Sequence, residues 1–126
     1  MKIIVDTNFI LTCVKQKIDL FSQLEEIFPL PEIIIPFRVI NELESLKKSR
    51  EIKIQERGAA DVSLQILRKK KPRLENLGEN VDNSIVNYAL KNKDVVVATL
   101  DRGIIRRLKS KAGLLTIRNR KRVALV

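Results

Sequence analysis

The amino-acid sequence predicts an α/β fold: a central, mainly parallel sheet of four or five strands, with helices packed on both faces. Three observations predict it. Short, unbroken apolar runs recur along the chain, the pattern of strands buried on both sides. Between them the apolar residues change to a spacing of three and four, as on amphipathic helices. The length, 126 residues with 44% hydrophobic side chains, suits one α/β unit whose folding buries roughly two-thirds of the unfolded surface.

The elements follow in order. Residues 2–5 (KIIV) form the first strand, which runs into Asp6, a favoured N-cap for the helix after it. Leu20, Leu24, Ile27 and Phe28 line one face of a helix. Residues 32–35 (EIII), closed by Pro36, repeat the strand pattern, and Val39, Leu43 and Leu46 line the next helix. The polar stretch 47–57 reads as a frayed end or a loop. Val62, Ile66 and Leu67 then form a stripe on a helix that ends in the basic run 68–73 (RKKKPR), stopped by Pro72. Residues 74–77 are a short candidate strand. Val81, Ile85, Tyr88 and Ala89 mark a helix over 80–92. Residues 94–99 (DVVVAT) are the clearest strand, leading to Asp101 at the head of another helix. Residues 114–117 (LLTI) are a fourth strand, and 122–126 (RVALV) an edge strand. No repeat, low-complexity tract or linker divides the chain, so residues 1–126 are expected to form a single domain with a basic C-terminal segment, 102–126.

Charge points to a polyanionic partner. The chain has 25 Lys and Arg against 15 Asp and Glu, a net charge of +10, and nine of those basic residues with none of the acids fall in 102–126. Arg-rich segments suit phosphate recognition, which makes Arg102, Arg106, Arg107, Lys109, Arg118 and Arg120 candidate nucleic-acid-binding residues. With five aromatic residues, base stacking is not the obvious mode. The segment GIIRRLKSK is too short for a membrane anchor, no run reaches the ~20 apolar residues of a span, and the opening MKIIVDTNFI reads as structure, not as a signal peptide. A cytoplasmic protein that does not act on a membrane is the expectation.

Composition also removes whole classes of chemistry. Histidine is absent and Cys13 is the only cysteine. This excludes Ser-His-Asp and Cys-His catalysis, histidine metal sites, Cys-rich zinc sites and an internal disulfide. The glycines are isolated, so there is no phosphate-binding glycine loop. A dehalogenase-type phosphatase wants an aspartate where Asn8 stands, and a response-regulator receiver wants an acidic pair before its aspartate. Any chemistry falls to carboxylates. Asp6 and Asp101 end two strands and so face the same crevice beyond the carboxyl edge of a parallel sheet. Asp82 lies in the first turn of the 80–92 helix, where it also suits the helix dipole. Glu42 and Glu44 border opposite edges of one apolar stripe, and periodicity does not choose between them. Converging carboxylates without histidine or cysteine make a hard oxygen site suited to Mg²⁺ or Mn²⁺.

The order VDTNFI, VINELESL, NVDNSIVNYAL, VVVATLDRGIIRRLK resembles that of the PIN-domain nucleases over nearly the whole chain. The resemblance implies a three-layer α/β/α sandwich and a metal-dependent endoribonuclease. It assigns Asp6, Glu42, Asp82 and Asp101 as catalytic residues holding Mg²⁺ or Mn²⁺, prefers Glu42 to Glu44, and gives Asn8 and Thr99 supporting roles. Within the family, DNSIVN and TLDRGIIRRLK look most like the domains that process ribosomal RNA and their archaeal relatives, in which an aspartate often stands at the place of Asn83. That departure removes one charge and leaves the quartet intact. The resemblance implies RNA as substrate, a homodimer, and a ribosome-assembly partner. Two alternatives stay open: a VapC-type toxin ribonuclease with an antitoxin partner, and a non-catalytic RNA-binding or assembly module on the same fold.

Overall fold

Lys2–Val5 forms strand β1, followed by helices α1 (Thr7–Lys15) and α2 (Leu20–Ile27). Strand β2 (Glu32–Pro36) leads into α3 (Phe37–Lys48), α4 (Ile54–Lys70) and β3 (Arg73–Glu75). Then come α5 (Val81–Lys91), β4 (Val95–Ala98), α6 (Arg102–Leu108), β5 (Gly113–Arg118) and β6 (Arg122–Leu125). This computed structural model describes residues 1–78 and 81–126, with the side chains of Val81 and Asp82 left aside.

The strands make one six-stranded sheet in the order β3-β2-β1-β4-β5-β6, parallel throughout except for β6. The order runs outward in both directions from the β1–β4 pair. That pair is the topological switch point, where open α/β sheets hold their ligands. Side chains alternate along each strand. Ile3, Val5, Ile33, Ile35, Val96 and Ala98 pack under α1 to α4, and Ile4, Ile34, Val95 and Val97 pack under α5 and α6. The result is the expected α/β/α sandwich, with a thick helical layer on one face and a thin one on the other.

Several expectations need correction. The sheet has six strands, not four or five, because both of the weaker candidates pair. The 74–77 candidate forms as Arg73–Glu75, and Leu77 instead packs against the α5–α6 core. The edge candidate 122–126 forms a hairpin with β5, turned at Asn119 and Arg120, both at positive φ as tight hairpin turns require. Gln23 clamps this hairpin, its side chain donating to the Lys121 carbonyl and accepting from the Val123 N–H. On α4 the buried face is Ala59, Ala60, Ser63, Leu64 and Leu67, while Val62 is 41% exposed. Small residues there let α4 sit close to α3, and a hydropathy stripe does not register them. Gly113 has a similar role in the sheet, since a Cβ there would lie 2.8 Å from Val96 Cγ2. Among the described residues no helix is long and apolar enough to cross a membrane.

Candidate active site

The site grows out of the carboxyl ends of β1 and β4. The Asp6 N–H donates to the Ala98 carbonyl at 2.9 Å, which ties the two strand ends together. Asp6 then caps α1, its Oδ1 accepting from the Thr7 N–H at 2.8 Å. Its Oδ2 accepts from Thr99 Oγ1 at 3.0 Å, and the same Thr99 hydroxyl accepts from the Asp101 N–H at 3.1 Å. A single fully buried hydroxyl thus joins two aspartates that lie 95 positions apart in the chain. Asp101 caps α6 through Oδ1, which accepts from the Ile104 N–H at 3.0 Å. Gly103 leaves room for that carboxylate, for a Cβ there would sit 3.1 Å from Asp101 Oδ1.

Asp6 is 8% exposed. Burial pushes its carboxyl above the ordinary value. The Thr7 and Thr99 hydrogen bonds and the Arg38 charge offset this in part, and Glu42 adds to the rise. Arg38 is the residue that sequence reasoning missed. From the first turn of α3 its Nη1 donates to Glu42 Oε1 at 3.0 Å, and its Nη2 stands 3.6 Å from Asp6 Oδ1. A cation in the first turn opposes the helix dipole. That mismatch, together with the i,i+4 spacing to Glu42, is the signal the sequence carried.

Of the predicted quartet, Asp6, Glu42 and Asp101 lie at this edge, Glu42 through Arg38 and Asp101 through Thr99. Asp82 belongs to the first turn of α5, but its side chain lies outside the described residues. Glu44 points elsewhere, into a hollow with Leu64, Leu67 and Arg68. Asn8 is exposed beside Glu42. Asn83 accepts a 2.6 Å hydrogen bond from Arg107 Nη1, so its amide is engaged with α6. Among the described residues no three acidic or cysteine side chains gather into a metal-sized cluster. Cys13 is buried, and burial pushes its thiol up to about 12, so it offers no thiolate at neutral pH.

A family model described as a PIN like domain matches residues 3–122. The chain belongs to the PIN-like domain family. Ribonuclease VapC4 of Methanocaldococcus jannaschii is 34% identical over 108 residues, which cover 85% of this chain and 82% of that protein. The solved structure of the PIN domain endonuclease Utp24 superposes with a TM-score of 0.75 at 29% identity, covering 98% of this chain and 90% of that one. Both are nucleases by name, and the fold expected from the motifs is the one found.

The six candidate RNA-binding residues of this PIN-like domain do not form one patch. Arg102 begins α6 at the Asp101 edge, and Arg118 and Arg120 end β5 and form its turn at that same edge. Helix α6 carries the chain back across the sheet, a span of about 10 Å for seven residues. Lys109, its C-cap, therefore stands at the opposite edge, with Arg106 and Arg107 in the last turn between. Arg118 also turns its guanidinium to the Leu125 carbonyl.

Proposed function

We propose that this PIN-domain ribonuclease is a metal-dependent endoribonuclease that hydrolyses phosphodiester bonds in structured RNA. Precursor ribosomal RNA is the substrate favoured by the likeness of DNSIVN and TLDRGIIRRLK to ribosomal-RNA-processing domains. The observation that carries the reading is the link from buried Asp6 through Thr99 to Asp101 across the β1–β4 crevice. Such a link fixes the Asp6 carboxylate and the backbone of Asp101 at the place where an α/β sheet meets its ligand.

The residues fit a hard divalent cation. Asp6 keeps part of its acceptor capacity beyond the Thr7 and Thr99 bonds, and the donors at the edge are carboxylate oxygens. The chain itself sets a cation, Arg38, between Asp6 and Glu42, a sign that this position calls for positive charge. Asp6, Glu42, Asp82 and Asp101 would hold Mg²⁺ or Mn²⁺, which supplies an activated water and neutralises charge at the leaving oxygen. Thr99 orients Asp6, and Ile104 N–H orients Asp101. Arg102 and Arg120 steer the polyanion toward the acidic crevice, and their contribution should weaken as salt rises.

The test is an end-labelled structured RNA incubated with Mn²⁺, with Mg²⁺ and with EDTA. Cutting should need the cation and vanish in Asp101→Asn. An RNA that is bound but stays whole under every metal condition would move the chain to the binding-module reading. The likeness to Ribonuclease VapC4 favours one second reading, a toxin ribonuclease of the same chemistry. An antitoxin gene beside this one, and a product that inhibits cleavage, would select it.

A further inference from the structure

Strand β5 outruns its neighbour. It pairs with β4 only over Gly113–Leu115, while Thr116, Ile117 and Arg118 pair with β6 alone. Three residues at ~3.3 Å each carry the hairpin about 10 Å past the level of Ala98, where β4 ends. It therefore leaves the carboxyl edge of the sheet as a two-stranded ribbon beside the crevice. Its tip, residues 118–122 (RNRKR), holds four cations and no acid, and all five residues are exposed. Among the described residues, none of these cations lies within 4 Å of a carboxylate. Arg118 and Arg122 stand directly opposite each other. By alternation from Leu114 and Leu115 they share the face on which α6 packs, the helix that Asp101 caps. Like charges directly opposite one another destabilise a strand pair. Arg120 has a φ of 56°, a place where tight hairpins favour glycine or asparagine. Local stability does not account for arginine at these three positions.

A free two-stranded ribbon is marginal in water, and this one is braced from outside the sheet. Gln23 on α2 donates from Nε2 to the Lys121 carbonyl at 3.0 Å and accepts from the Val123 N–H at 2.6 Å. One amide thus holds the backbone on both sides of Arg122, and buried Val123 anchors the ribbon in the α1–α4 core. We infer that the ribbon is a grip for the phosphates of a base-paired RNA stem beside the cut. Arg118, Arg120, Lys121 and Arg122 make the contacts, and Gln23 is the positioning residue that fixes them. The hairpin has no aromatic side chain on which an unpaired base could stack, so its cations engage the backbone and not the bases. Double-stranded RNA is met through its shape and its phosphates, and fixed cations on a braced ribbon match that regular backbone. A flexible single strand adapts to any cationic surface and draws no advantage from the bracing. The grip rests on the ribonuclease reading for its place beside a cut, but its binding is measurable without cleavage.

The experiment uses two fluorescein-labelled RNAs of equal length, a stem-loop with single-stranded flanks and an unstructured strand. Anisotropy in EDTA measures binding, and cleavage with Mn²⁺ is followed in parallel. The variants are Arg118→Gln/Arg122→Gln, Arg120→Asn/Lys121→Gln, in which asparagine keeps the left-handed turn, and Gln23→Leu. Lys93→Gln/Lys111→Gln, just before β4 and β5 at the opposite edge, removes the same charge and is the control. Each hairpin double variant should weaken stem-loop binding at least about tenfold and lower its log–log salt slope by about two, one per phosphate contact. The unstructured strand, and the control on either RNA, should change less than about threefold. Gln23→Leu keeps every charge. It should raise the stem-loop Kd and KM about threefold, leave kcat within about twofold, and add nothing when combined with Arg120→Asn/Lys121→Gln. Circular dichroism checks that the variants fold. Hairpin variants that bind the stem-loop within twofold of wild type, or lose no more than the control, overturn the grip. Equal losses on both RNAs overturn the stem as its ligand, and a Gln23→Leu effect that adds in full overturns the bracing. A wild type that holds the stem-loop through the hairpin and leaves it whole with Mn²⁺ keeps the grip and removes the ribonuclease reading instead.

Discussion

Asp6 and Asp101 occupy the same place in the sequence pattern, yet the fold treats them in opposite ways. Each ends a parallel strand and caps the helix that follows. Asp101 is partly buried, bonded to the third N–H of its helix in the ordinary capping geometry. Asp6 is buried, holds the first N–H instead, and shares its other oxygen with Thr99. Burial raises its pKa although three groups pull the other way. Asp101 is thus an ordinary cap, while the Asp6 carboxyl caps its helix from a buried position, at a cost that Thr7, Thr99 and Arg38 offset only in part. A buried carboxylate held against its preference is what a cation-binding site would require.

Substitutions can break this contrast, and the largest effect belongs to Asp6→Asn. Cleavage should fall at least about a hundredfold, the scale for loss of a charged group at a reaction centre. Stability should not fall with it, because asparagine caps helices as well as aspartate does and removes the buried charge. The sign follows from linkage. A carboxyl whose folded pKa is raised binds its proton more tightly in the folded chain. Stability from Asp6 is thus greatest below its ordinary value of 3.8 and is lost as pH rises through the raised folded value. Melting curves from acid to neutral pH should show wild type losing ground to Asp6→Asn over that window.

Asp101→Asn should lose cleavage on a similar scale and melt near wild type. Asp101→Ala should lose the cap as well, at about 1 kcal/mol, measurable by chemical denaturation. The pair separates the two roles of this residue. Thr99→Val sharpens the comparison further. Without the hydroxyl, Asp6 loses a donor and the Asp101 N–H loses its acceptor, a cost of about 1–3 kcal/mol. The pH profile of cleavage should shift toward alkaline values, since one of the bonds that lowers the Asp6 pKa is gone. The smallest effects concern the basic segment. Arg102→Ala at the crevice should weaken RNA binding and lower its salt slope by about one. Lys109→Ala at the opposite edge should leave both nearly unchanged in a salt titration.

Sequence reasoning reached the strand ends because they obey strong local rules. An apolar run ending in aspartate has few other readings, and parallel strands must present their carboxyl ends to one edge, so the pattern alone brings Asp6 and Asp101 together. It did not reach Arg38, whose role depends on β2 lying beside β1, a pairing no local pattern states. It misjudged Val62 because hydropathy favours large side chains, while the α3–α4 contact is made by Ala59, Ala60 and Ser63. It grouped Lys109 with Arg120 because both follow Asp101 in a basic run. The helix between them sends the chain across the sheet, and closeness in sequence became distance in space.

In the function proposed above, RNA is cut at the Asp6–Thr99–Asp101 crevice. The most direct test measures cleavage, RNA binding and melting on one preparation of Asp6→Asn beside wild type. The expected variant melts no lower than wild type at neutral pH, binds structured RNA with near-wild-type affinity, and leaves it whole with Mn²⁺ or Mg²⁺ while wild type cuts. A variant that folds, binds and still cuts at the wild-type rate would contradict it.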